Sequence, residues 1–141
     1  MIIHATITKT GKWYAIEIPA LGAHTQASTK AEALKMAAAV VRDLVDDQEM
    51  PVEVQADKDF QNLSIDADAA TMLPFILRAQ RRRAGLSVRD CAQRMNSKSP
   101  TAFARYEAGR AVPSVAKLDE LMHSLGMRLS VEPVGMVAAN A

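Results

Sequence analysis

Apolar and polar residues alternate from the start of the chain, with Ile3, Ala5 and Ile7 on one side and His4, Thr6 and Thr8 on the other. That two-residue period predicts a strand. Thr10-Gly11-Lys12 marks a turn, and the run from Trp13 to Ile18 favours a second strand as far as Pro19, giving a hairpin. Leu21 to Ala27 can supply a third strand. The period then lengthens: Ala31, Leu34, Ala38, Val41 and Val45 lie on the apolar face of a helix running to about Asp47. Ser28 or Thr29 caps it, and Glu32 three residues after Thr29 completes a capping-box pattern. Met50-Pro51 ends the helix, and Val52-Glu53-Val54 can return to the sheet. The expectation for residues 1–56 is a small β-β-β-α-β domain, helix packed on sheet.

Asp57 to Ala70 is polar, acidic and weakly patterned. Leu63 and Ile65 could form a brief strand there, but 57–70 reads mainly as an inter-domain linker. Helical spacing resumes near Thr71, with Pro74 in the first turn, where proline is tolerated. Leu73, Ile76 and Leu77 face inward, while Arg78, Arg81, Arg82 and Arg83 face solvent or phosphate. The stretch Leu86 to Pro113 reads as a helix-turn-helix. Ser87 caps a short amphipathic run through Met95, Asn96-Ser97-Lys98-Ser99 forms a polar turn, and a second helix runs from Pro100 to Ala108. Ser99 can cap that helix, Pro100 suits its first position, and Gly109 can take the left-handed conformation that closes it. Ser114 starts a last helix carrying Leu118, Leu121, Met122 and Leu125, ended by Gly126. Met127, Leu129 and Val131 alternate as a final strand and candidate dimer contact. This second, all-α domain spans 71–132, and 133–141 reads as a flexible tail.

The fold class is therefore α+β, and 141 residues suffice for one ordinary domain or two small ones. No apolar run approaches the ~20 residues that span a bilayer, and the N-terminus lacks signal-peptide features, so no membrane partner and cytoplasmic residence are expected. The single cysteine excludes an internal disulfide and a multi-cysteine zinc site. Cys91 falls on the inner side of its helix as a small core residue, and the spacing of His4, His24 and His123 suggests no metal site. Neither a cofactor nor catalysis is expected. The net charge of +1 hides an asymmetry: residues 1–70 hold 6 Lys/Arg against 11 Asp/Glu, net −5, and residues 71–141 hold 11 against 5, net +6. The basic half suits nucleic acid and the acidic half a basic protein, with chance segregation of surface charge as the alternative.

Leu86-Ser87, Ala92, Arg94, the run Ser99 to Arg110 and Pro113-Ser114 resemble the phage-repressor (Xre/Cro-like) helix-turn-helix, over roughly residues 71–130. The N-terminal part resembles the HicB antitoxin family, over about residues 1–55. That likeness is carried by Trp13-Tyr14, Ile18-Pro19-Ala20-Leu21-Gly22 and the run Thr25 to Ala33. Together the resemblances imply an antitoxin whose first domain, partly ribonuclease H-like, holds an mRNA-cleaving HicA-type toxin. Its second domain would bind operator DNA as a homodimer or higher homo-oligomer. The repressor family's geometry implies base contacts from Pro100, Thr101, Ala102 and Arg105, and phosphate contacts from Lys98, Ser99, Arg110 and Arg89. The turn is one residue longer than the family's, Asn96 replaces its common glycine, and Val88 stands where many relatives carry glutamine.

Asp43, Asp46, Asp47 and Glu49 gather at the end of the long helix, where negative charge opposes the helix dipole, and form the candidate toxin-binding surface. A stand-alone repressor with a ligand-sensing N-terminal domain is the alternative. Nuclease chemistry on a ribonuclease H-like layer needs clustered carboxylates for Mg²⁺. The first strand offers Thr6 and Thr8 instead, and Glu17 is the hairpin's only acid.

Overall fold

The computed structural model describes residues 1–96 and 99–133. Strands β1 (Ile2–Thr10) and β2 (Trp13–Ile18) form the expected hairpin, in register from Thr10↔Trp13 to Thr6↔Glu17. Strand β3 (Ala23–Ala27) pairs with β2 but starts later than expected, because Pro19–Leu21 tightens into a single 3-10 turn. Gly22 closes that turn at φ +59°, a conformation glycine enters at little cost. Helix α1 (Lys30–Val45) then packs across β2, β3 and the two later strands, β4 (Glu53–Ala56) and β5 (Asn62–Asp66). Thr29 is its cap, its hydroxyl accepting from the Glu32 N–H at 3.0 Å. The buried stripe is Ala33, Ala37, Ala38 and Val41; Ala31, expected inside, is exposed.

The five strands lie in the order β3-β2-β1-β5-β4, every neighbouring pair antiparallel. The expected linker over 57–70 is thus corrected. Strand β5 runs beside β1 from Ile2↔Asp66 to Thr6↔Asn62 and seals Leu63 and Ile65 into the core at 1% and 0% exposure. Asp57 makes the β4–β5 turn: its carboxylate accepts from the Gln61 N–H at 2.7 Å, and from the N–H and side-chain amide of Asn62 at 3.1 and 2.7 Å.

Only Ala67 and Asp68 separate this sheet from helix α2 (Ala69–Arg83). The helix begins before Thr71 because Asp68 caps it, accepting from the Thr71 N–H and hydroxyl. Pro74 therefore lies inside the helix, past its first turn. The apolar side of α2 is divided between two cores. Met72 and Ile76 pack with the sheet and α1, whereas Leu73 and Leu77 join Cys91, Phe103, Leu121, Met122 and Leu125. Gln80 ties α2 to the 3-10 turn, donating to the carbonyls of Pro19 and Ala20 at 3.0 and 3.1 Å.

The second core is closed by α3 (Val88–Arg94), α4 (Thr101–Glu107) and α5 (Val115–Ser124). Ser114 caps α5, and Gly126 follows it at φ +73°. The strand expected at Met127–Val131 is absent: residues 127–133 are in no ladder, and Val131 is 90% exposed. An alternating triplet with no neighbouring strand has no ladder partner for its backbone groups. The expected tail lies, from residue 134 onward, outside the described residues.

Four carboxylates that cap helices or close turns are held below the usual carboxylate range. Glu32 is lowered by the Ser28 hydroxyl, Asp57 by the Asn62 amide, Asp68 by the Thr71 hydroxyl and Asp90 by the Ser87 N–H. Each pKa is lower folded than unfolded, so the stability these groups contribute is complete above the unfolded value, about 4, and is lost as pH falls through the lowered values. Thermal melts are expected to shift to lower temperature on acidification below about pH 5. A melting temperature that rises over that interval would contradict the assignment.

Candidate nucleic-acid interface

Local chemistry sets the two short helices. At α3 the Ser87 hydroxyl accepts from the Asp90 N–H at 3.0 Å, while the Asp90 carboxylate accepts from the Ser87 N–H at 2.8 Å, a reciprocal box. Asn96 leaves α3 at φ +54°, a left-handed conformation that asparagine tolerates better than most side chains. Ser97 and Lys98 lie outside the described residues, and with them the phosphate contact expected of Lys98. The Ser99 hydroxyl accepts from the Thr101 N–H at 3.3 Å, but Ser99 is not the capping residue expected of it: it stands one position before the cap. Pro100, expected at the first helical position, instead occupies the cap position. The helix closes as expected, with Gly109 at φ +71° and the Arg110 N–H bonded back to the Arg105 carbonyl at 3.0 Å.

The inner face of α4 is fixed by Phe103, fully buried, and by Glu107, 7% exposed. Glu107 reaches across to α2 and accepts two bonds from one guanidinium, Arg81 Nε and Nη2, each at 2.7 Å. Arg81 Nη1 also donates to the Leu86 carbonyl at 2.9 Å, and Arg78 Nε stands 3.6 Å from Glu107. The forked pair corrects the expectation that Arg81 faces solvent or phosphate, whereas Arg78 keeps a side chain 43% exposed. Such a forked pair fixes orientation as well as distance. Cys91 lies in the same core, where burial pushes its thiol pKa up, as befits an inert core residue.

With that face anchored, the other is left open. Thr101, Ala102 and Arg105 are exposed, as is Pro100 just before them. Ala104 and Ala108 share the open surface and were missed; their spacing from Thr101 and Arg105 would have placed them there. Arg89, Ser99 and Arg110 are exposed, and among the described residues Arg89, Arg105 and Arg110 form no salt bridge. Small side chains around one free guanidinium allow a close approach to a groove.

Asp43 lies exposed in the last turn of α1, and Asp46, Asp47 and Glu49 lie exposed in the turn that follows it. Part of their chemistry is local: Asp43 accepts from the Gln48 amide at 2.7 Å and Asp47 from the Glu49 N–H at 3.0 Å. Asp46 caps α1 in a left-handed conformation at φ +57°.

Residues 76–130 match a family model described as a helix-turn-helix domain. The match runs from within α2 to beyond α5, so the class is a helix-turn-helix domain carried on a five-stranded sheet module. No curated protein matches the chain. Among the described residues no helix is long and apolar enough to cross a membrane. Nor, among them, do three or more His, Cys, Asp or Glu gather to hold a metal.

Proposed function

We propose that this chain is a cytoplasmic antitoxin that also represses its own operon. The observation that carries the reading is the open face of α4, bearing Thr101, Ala102 and Arg105 on a helix locked from behind by Phe103 and Glu107. Placed in a major groove, Arg105 forks to guanine O6 and N7 while Arg89, Ser99 and Arg110 take phosphates. Gripping a palindrome requires two such helices ~34–36 Å apart, hence a homodimer. Val112 and Val115, 73% and 75% exposed beside α4, offer apolar surface for the second copy in place of the missing strand.

The sheet module neutralises a basic, HicA-type mRNA-cleaving toxin by presenting the acidic turn at Asp43, Asp46, Asp47 and Glu49 to its RNA-binding surface. The succession β1-β2-β3-α1-β4 is in keeping with the partial ribonuclease H-like layer that goes with this role, with β5 added to the same sheet between β1 and β4. Catalysis is left to the toxin, and no cofactor is needed. The test pairs two assays: cleavage of mRNA by a HicA-type toxin with and without the chain, and footprinting on the upstream DNA of its operon. Undiminished cleavage would remove the antitoxin role and leave the repressor.

Arg105→Ala is expected to lose about 1–3 kcal/mol of discrimination between operator and scrambled DNA. Arg110→Ala should weaken both alike and flatten the log–log salt dependence by about one unit. Binding isotherms across a salt series read both effects. A second reading, a repressor whose sheet module senses a small ligand, is favoured by an open groove on that module.

A further inference from the structure

Residues 1–70 carry 11 carboxylates against 6 cations, yet one groove there is lined by two lysines and one carboxylate, Asp59. It encloses about 590 Å³ between Lys9 and Tyr14 of the hairpin, Lys30 at the start of α1, and the turn around Phe60. The Lys9 ammonium sits 5.4 Å from the centre of the Tyr14 ring, and the Lys30 ammonium 5.2 Å from that of Phe60. The two rings meet edge to face at 5.4 Å and 81°. Among the described residues neither lysine is within ion-pair distance of a carboxylate. Asp57, close in sequence, is taken up by Gln61 and Asn62, and Asp59 lines the groove without pairing to either lysine. Thr8 and Gln61 add a hydroxyl and an amide to the lining.

We infer that this groove binds the phosphate of a nucleotide, free or at the end of a single strand. Two ammonium groups from separate elements converge on it, and resting on ring faces limits the freedom they lose when an anion arrives. A phosphate monoester near neutral pH carries between one and two negative charges and offers three acceptor oxygens. Those oxygens match two ammonium groups, the Thr8 hydroxyl and the Gln61 amide. A carboxylate has only two acceptor oxygens and reaches fewer of these donors. The half-buried rings of Tyr14 and Phe60 provide an apolar wall for the nucleoside. The inference is independent of the antitoxin reading, because the acidic turn takes no part in it.

The full chain is titrated with inorganic phosphate, with AMP and with a 5′-phosphorylated RNA tetranucleotide, and amide resonances are followed by NMR. Saturable shifts confined to the groove are expected. Replacing both lysines, Lys9→Ala with Lys30→Ala, should weaken binding roughly tenfold or more. Lys35→Ala, which removes the same charge from an exposed site outside the groove, should leave it unchanged. The tightest of the three ligands identifies the source: the ion itself, a free nucleotide or a strand end. Either single lysine variant serves if the double one fails to fold. Absence of saturation with all three ligands would overturn the inference, as would an equal loss in Lys35→Ala.

Discussion

Truncating Phe103 to alanine is expected to cost about 3–5 kcal/mol of stability and to unfold both halves of the chain in one transition. Phe103 has no solvent exposure and lies at the centre of the helical core. The size of the loss follows from the buried ring surface removed and from a cavity that three short helices cannot collapse around. The shared transition follows from α2, which supplies Leu73 and Leu77 to that core and Met72 and Ile76 to the sheet core. Helical circular dichroism reports chiefly α2 to α5, with a further contribution from α1 on the sheet, and the single tryptophan, Trp13 in β2, reports the sheet alone. Coincident urea curves by the two probes are the expected result. A variant that keeps a native Trp13 signal while losing helicity would show two independent units.

Glu107→Ala should be nearly as damaging, at about 3 kcal/mol, because it strands the Arg81 guanidinium largely away from solvent. The Arg81 side chain is 16% exposed, so some solvent reaches it, and the lower end of the usual range for broken buried pairs applies. Replacing both partners together, Arg81→Met with Glu107→Leu, is expected to recover most of that loss, since no uncompensated charge remains. Chemical denaturation of Arg81→Met, Glu107→Leu and the double variant closes the cycle. A double variant as unstable as Glu107→Ala would show that the pair matters for shape rather than charge. Operator affinity in the double variant separates folding from function, because α4 would stay docked while losing the fork that sets its angle.

What was legible in the sequence was local. Ser87, Ser114, Gly109 and Gly126 act within a turn or two of themselves, and each stands where its hydrogen bonds or left-handed φ are needed. The open face of α4 could likewise be read from the helical spacing of Thr101, Ala102 and Arg105. The features missed depend on distant partners. Strand β5 shows only Leu63 and Ile65 as apolar positions among polar neighbours, and its place is decided by β1, some sixty residues earlier. One signal was present: Asp57 to Asn62 is a turn-rich stretch between two alternating runs, the outline of a hairpin. Arg81 and Glu107 stand 26 positions apart, and nothing in either segment alone distinguishes that arginine from its exposed neighbours Arg82 and Arg83. Residues 127–131 erred in the opposite sense: alternation suggested a strand, but the sheet's edges are β3 and β4, and neither takes it in.

One helix common to two cores also turns the chain into a lever with no hinge. On the proposed reading, a toxin held on the sheet would be carried at a set distance and heading from DNA bound at α4. Lengthening the Ala67-Asp68 connection would not loosen that arrangement, because the docking of α2 against the sheet, and not the tether, maintains it.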